Sequence, residues 1–200
     1  MKLDHAKVRA RLISARVADW PRILPAKHRA TPAGAGYGSS RFSSPSQNFR
    51  ILYAGEDFAT AFAEAVVRDR FEGKAKRYLY QPFLENLCLT SVSSDRALSL
   101  LDLTGAAAYE MGVDTDASRA RKHEQGQALS EALYSQFPIL DGLLFDSRLT
   151  AKRCIAIYDR ALSTLTGRTP IALIQAAQLP AEIKRLDIIV RRARGYATTR

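Results

Sequence analysis

Between residues 48 and 71 the apolar period changes from that of a strand to that of a helix, which restricts the architectures open to the chain. Asn48-Phe49-Arg50-Ile51-Leu52-Tyr53 passes from alternating to continuously apolar, the pattern of a strand. Asp57 follows, and its short carboxylate suits the free N–H groups of a helix start. The spacing predicts that helix to about Phe71, with Phe58, Phe62, Ala65 and Val66 on one face.

The rest of the chain adds strands and helices without regular alternation. Residues 77–89 read as one or two strands and residues 97–103 as another short apolar element. Residues 118–137 read as a helix burying Leu129, Ala132 and Leu133, stopped by Pro138. Asp141-Gly142 reads as a turn, with strands over residues 143–145 and 154–158. After Pro180 the tail fits a basic amphipathic helix or a strand over residues 186–190. Such a succession predicts an α+β fold rather than a doubly wound sheet. Two hundred residues make one domain, expected to span residues 1–200.

Composition narrows the function. An apolar fraction of 46% supports a packed core, and no apolar run approaches the ~20 residues of a membrane helix. No secretory signal is legible at the start, so the cytoplasm is the expected compartment, away from membranes. Cys88 and Cys154 sit in apolar surroundings, and two cysteines with scattered histidines suggest neither a disulfide framework nor a zinc site. The net charge of +10 is concentrated at the ends: residues 1–50 carry +8, residues 51–183 carry −3 and residues 184–200 carry +5. Such a field attracts phosphate-bearing small molecules, acidic partners or nucleic acid. For nucleic acid the signal is charge alone, since no helix-turn-helix or aromatic-interleaved basic stripe accompanies it.

Residues 33–47 form the one strongly loop-like stretch, with three Gly, five Ser and Pro45, and should lie on the surface. Arg41 is embedded in it. A guanidinium presents a rigid fork suited to two phosphate oxygens, although a lone loop arginine is ordinarily solvated. Glu64, about 200° around the helix from Phe62, is either chemically employed or one half of an exposed i,i+4 pair with Arg68. Ser147 follows a short apolar strand, where its hydroxyl can bind a ligand or close a turn. Its surroundings lack the Gly-x-Ser-x-Gly elbow, and His5, His28 and His123 offer no legible triad partner. The glycines of residues 33–38 are neither preceded by a strand nor followed by a helix, so they do not form a dinucleotide loop.

Taken together, Gly38-Ser39-Ser40-Arg41-Phe42-Ser43-Ser44-Pro45 and Ile51-Leu52-Tyr53-Ala54-Gly55-Glu56-Asp57-Phe58-Ala59-Thr60-Ala61-Phe62-Ala63-Glu64 resemble the opening of the RES domain. Gln127-Ala128-Leu129, Asp141-Gly142-Leu143-Leu144-Phe145-Asp146-Ser147-Arg148 and Cys154-Ile155-Ala156-Ile157-Tyr158 are similar to its later helix and strands. The resemblance covers roughly residues 38–160, and Arg41, Glu64 and Ser147 match the three residues that name the family. Arg41-Phe42-Ser43 departs from the Arg-Trp-Asn form of many members.

The resemblance implies an ADP-ribosyltransferase-like fold, a split antiparallel sheet with flanking helices around an NAD cleft. It further implies a growth-arresting toxin that consumes NAD as substrate, with no prosthetic group, by hydrolysis, phosphorolysis or ADP-ribosyl transfer. The implied partner is an Xre-type helix-turn-helix antitoxin that blocks the cleft; a homodimer burying apolar surface stays open. On this reading Arg41 clamps the NAD phosphates, Glu64 stabilises an oxocarbenium-like ribose or acts as a base, Ser147 positions Glu64 or the ribose, and Tyr53 stacks on nicotinamide or is a core residue.

Overall fold

The computed structural model describes residues 1, 3–68, 70–71, 74–105, 107 and 123–192. Its strands are β1 (Leu12–Ala15), β2 (Trp20–Pro25), β3 (Ile51–Gly55), β4 (Arg77–Tyr80), β5 (Leu87–Ser94) and β6 (Leu98–Asp102). They continue with β7 (Gly142–Asp146), β8 (Arg153–Tyr158), β9 (Leu165–Gly167), β10 (Ile171–Ala172) and β11 (Ile188–Arg191). The described α-helices are α1 (His5–Ala10), α2 (Phe58–Phe62), α3 (Gln81–Glu85), α4 (His123–Gln136) and α5 (Leu179–Arg185).

Alternate residues of the central strands enter two different cores. β1, β6, β7, β8 and β3 lie in that order in one five-stranded sheet. On one face Ile51, Leu143, Phe145, Cys154, Ala156 and Tyr158 pack under Leu129, Ala132 and Leu133 of α4. On the other, Leu52, Ala54, Leu144, Ile155 and Ile157 pack with Val17, Val92 and Leu165. Burial on both faces explains why these strands read as continuous apolar runs instead of alternating ones.

The second sheet runs β10–β5–β2, with β9 also on β5, and a parallel pair β4–β11 stands apart. The two larger sheets pair antiparallel except at β6–β7, where Leu101 lies opposite Leu143 in a parallel register. The fold is thus the α+β class the sequence suggests, with its strands divided between sheets and helices at their flanks. Among the described residues no helix is long and apolar enough to cross a membrane.

A third core explains the C-terminal segment, which carries no legible signal in the sequence. Phe58, Phe62 and Val66 meet Leu79, Leu84, Leu173, Leu179 and Ile188 there. Full burial of a phenylalanine is worth about 1.5–3 kcal/mol, enough to hold a helix too short to persist alone.

Several local expectations change. Residues 77–89 are a strand, the α3 turn and the start of β5, not strands throughout. Asp141 is buried, its carboxylate taken by Arg96 and by Ser99 N–H, and Gly142 already belongs to β7, so the turn falls at Pro138–Ile139 instead. The tail supplies both α5 and β11. The expected helix over 118–137 is seen from His123, and residues 118–122 lie outside the described residues. The Gly/Ser-rich loop is also not a surface loop throughout: Arg41, Phe42, Ser43 and Ser44 are buried. Its hydroxyls replace water, Ser40 bonding Ser43 at 2.6 Å and Ser44 donating to Glu131 at 2.7 Å, while the Phe42 N–H donates to the Tyr53 hydroxyl at 3.1 Å.

Candidate active site

The site is set by how tightly α2 follows β3. A Cβ on Gly55 would sit 2.6 Å from the amide nitrogen and 3.1 Å from the Cα of Ala61, so only a hydrogen there lets the helix turn back onto the strand. Gly55→Ala is expected to destabilise the fold by about 1–3 kcal/mol through overpacking, read as a lowered melting temperature; an unchanged one would show that the helix yields freely.

Asp57 caps α2, accepting from Thr60 N–H at 2.8 Å, and takes Lys152 Nζ on its other oxygen at 2.7 Å. Burial pushes the Asp57 carboxyl up, but these hydrogen bonds outweigh it and hold the group below its ordinary range. Thr60 and Thr150 hydroxyls meet at 3.0 Å. The helix start is thereby tied to the turn that carries Ser147.

The expected helix to Phe71 ends early. After Phe62 the chain widens into a π-turn, Ala63–Val67, closed by Arg68 N–H on Ala63 C=O at 2.8 Å. The wider turn changes which residues face inward. Ala65, expected with the aromatic face, is exposed, while Ala61 and Ala63 are buried. Such turns recur at functional sites, and this one carries Glu64 and Arg68.

Glu64 and Ser147, 83 positions apart, are in contact: the Ser147 hydroxyl donates to Glu64 Oε1 at 2.7 Å. The same Oγ accepts from Leu149 N–H at 3.2 Å and from Thr150 N–H at 3.4 Å. With its lone pairs so occupied, the hydroxyl directs its single proton at the carboxylate, as a positioning group would. Glu64 Oε2 accepts from Arg68 Nη1 at 3.1 Å. This is the i,i+4 pair the sequence offers as an exposed alternative, but its side chains are only 14% and 19% exposed.

Arg68 also approaches His123 Nε2, at 3.1 Å, while His123 Nδ1 lies 2.6 Å from Ser39 C=O. A guanidinium only donates, so Nε2 accepts and Nδ1–H donates. His123, without a legible partner in the sequence, therefore ties the loop to the site.

Two cavities share Glu64 and Arg68 in their linings. The inner one, about 230 Å³, is lined by Tyr53, Phe145, Ile23, Ala54 and Ser40 among others. The outer one, about 500 Å³, presents Arg68, Arg77, Arg148 and Arg185 alongside Val67, Phe71 and Leu186. Sequence reasoning does not single out the last three arginines as site residues, because they are scattered along the chain.

Arg41 is 2% exposed and lines neither cavity; its guanidinium carbon lies 5.8 Å from the ring centres of both Phe42 and Phe145. Burial, then the nearby Arg68 charge, hold its pKa down to about 10; Glu64 and Tyr53 act the other way, and Arg148 adds to the repulsion. Arg68 and Arg148 thus both repel Arg41 while Glu64 attracts it, a concentration of positive charge that favours an anion. Tyr53 lines the inner cavity with its hydroxyl pushed up by burial. Cys154 borders the same cavity, but burial and then the Glu64 charge push its thiol up, against a thiolate role. Among the described residues no group of three His, Cys, Asp or Glu could hold a metal ion.

The model of the RES domain matches residues 11–181 of the chain. The chain is 34% identical over 100 residues to Probable toxin y4kH of Sinorhizobium fredii (strain NBRC 101917 / NGR234), covering 50% of this chain and 79% of that protein. It is also similar in fold to a chain of the crystal structure of the M. tuberculosis MbcT–MbcA toxin–antitoxin complex. That likeness has a TM-score of 0.61 at 21% identity and covers 85% of this chain and 93% of the other.

Proposed function

The chain belongs to the RES domain family, and from that premise we propose that it is the toxin of a toxin–antitoxin pair, an enzyme that cleaves NAD+ between nicotinamide and ribose. The observation that carries the reading is the Glu64 carboxylate, held by Ser147 and Arg68 and lining both an aromatic-walled pocket and an arginine-walled one. NAD+ has the matching form, a flat ring joined through ribose to a diphosphate.

In the proposed reaction the C1′–N bond breaks and its electron pair leaves with nicotinamide, which departs neutral. Positive charge develops on the ribose, and Glu64 stabilises it as carboxylates do in glycoside cleavage. Water, phosphate or a protein nucleophile then attacks C1′, and its proton is released. Tyr53 and Phe145 border the ring pocket, and Ser147 fixes Glu64. Arg68 and Arg148 face the diphosphate; Arg41, beneath the cavity walls, acts on it through its field rather than as a direct clamp.

The proposed partner is a helix-turn-helix antitoxin of the Xre type that covers the cleft, and the toxin's effect is growth arrest through NAD depletion. Incubation of the purified protein with NAD+ is expected to release nicotinamide, measured chromatographically, with the second product identifying the acceptor. No nicotinamide in the presence of phosphate and candidate acceptor proteins would overturn the reading.

A further inference from the structure

Among the described residues the outer cavity is lined by four arginines, Arg68, Arg77, Arg148 and Arg185, and one carboxylate, Glu64, three net positive charges against the two negative charges of a diphosphate. In the proposed pose Arg68, already paired with Glu64, and Arg148 face the diphosphate, and the wall adds Arg77 from β4 and Arg185 from α5. Among the described residues lining it, Glu64 is the one carboxylate, and its two oxygens already accept from Ser147 and Arg68. Dinucleotide sites commonly use a carboxylate to accept the 2′-hydroxyl of an unphosphorylated adenosine ribose, whereas an arginine at that place receives a 2′-phosphate.

The geometry points to a dinucleotide carrying a 2′-phosphate, the NADP+ class, as the preferred substrate, with Arg77 and Arg185 receiving that phosphate. This rests on the proposed dinucleotide cleavage. Arg77 donates from Nη1 to Leu186 C=O at 2.7 Å, which fixes the fork beside the α5 end. Arg185 donates to Glu182 at 2.9 and 2.7 Å. It is half exposed, and Glu182 does not line the cavity. The exposed side of the Arg185 fork leaves room for an incoming phosphate beside its bonds to the largely buried Glu182, and two arginine forks can grip a phosphate with charge-assisted bonds. Phe71, Val67 and Leu186 offer apolar wall to the adenosine.

The test compares kcat/KM for nicotinamide release from NAD+ and from NADP+ as sole dinucleotides. NADP+ is expected to be favoured by about tenfold or more, the scale of one good charge-assisted contact. Arg77→Gln and Arg185→Gln are each expected to lower the NADP+ to NAD+ ratio several-fold. A wild-type ratio of one or less overturns the inference and leaves NAD+ cleavage standing; a ratio unmoved in both variants removes Arg77 and Arg185 from the phosphate site and overturns it as well. Calorimetry with 2′,5′-ADP against ADP on the wild-type protein decides the matter independently of turnover. Tighter binding of 2′,5′-ADP supports the inference even where neither dinucleotide is cleaved and the cleavage reading fails. Equal or weaker binding overturns it.

Discussion

Glu64→Gln is expected to lower the rate of nicotinamide release by roughly a hundredfold to a thousandfold, the scale of one preorganised electrostatic contact to a transition state. The substitution preserves volume and removes the charge that would face the ribose cation. It also breaks the symmetry of the contacts. Glu64 Oε1 accepts from Ser147 and Oε2 from Arg68, whereas an amide has one accepting oxygen. Whichever donor meets the amide nitrogen loses its partner. The fold should survive, because Phe58, Phe62 and Val66 anchor the helix on another face. The measurement is a time course of nicotinamide release at saturating dinucleotide, alongside thermal denaturation. A variant within tenfold of wild type at an unchanged melting temperature would place the chemistry elsewhere.

The parts of this molecule that are legible without the structure are those whose signal is local. β3, β6, β7 and β8 are apolar runs of strand length, and Asp57 is a helix cap recognisable from its neighbours. The end of α2 is not legible, because a π-turn obeys neither strand nor α-helical spacing, and its backbone bond from Arg68 to Ala63 has no sequence signature. The Gly/Ser loop departs from its expected exposure for a related reason. Polarity ordinarily means exposure, but here the buried Ser43 and Ser44 hydroxyls have partners, and Ser44 finds Glu131 at a separation of 87 residues.

The candidate site divides the same way. Arg41, Glu64 and Ser147 stand out through family resemblance, and the structure adds that Glu64 and Ser147 touch while Arg41 lies within electrostatic reach. Arg68 reads as half of a surface pair because i,i+4 spacing says nothing about depth. Arg77, Arg148 and Arg185 converge only because the C-terminal segment folds back over α2, through Leu173, Leu179 and Ile188. His123 requires knowledge of which loop carbonyl faces its ring. Apart from the depth of the Arg68–Glu64 pair, these omissions are long-range contacts between ordinary residues.

Arg41→Met is expected to raise stability while lowering activity. Arg41 is 2% exposed, and its pKa is held down to about 10 because burial and the repulsion of Arg68 and Arg148 exceed the attraction of Glu64 and Tyr53. A depression of that size corresponds to a charge penalty of the order of 3 kcal/mol on the folded state. The sign follows from linkage. Below about pH 10 the arginine is protonated in both folded and unfolded chains, so the penalty is fully present. It is relieved only as pH rises above about 10, where the unfolded chain binds the proton more tightly. At neutral pH an unbranched apolar side chain removes the penalty and keeps packing against Phe42 and Phe145, the rings that Arg41 now approaches. Replacement of buried ionic groups by apolar ones of similar volume has stabilised other proteins by about 1–4 kcal/mol. The attraction of Glu64 and Tyr53 and the guanidinium's other contacts disappear with it and offset part of that gain. A net gain of about 1–2 kcal/mol is expected, or roughly 2–8 °C in melting temperature for a chain of this size. The same substitution removes a cation from beside Glu64 and weakens the field that draws the diphosphate, so kcat/KM for dinucleotide cleavage should fall by at least about tenfold. A stabilised, poorly active variant would mean that the arginine cluster is maintained for its ligand at the expense of the fold. A variant that melts lower at every pH from about 6 to about 8 would mean instead that Arg41 is a structural strut, and its assignment to the site would be withdrawn.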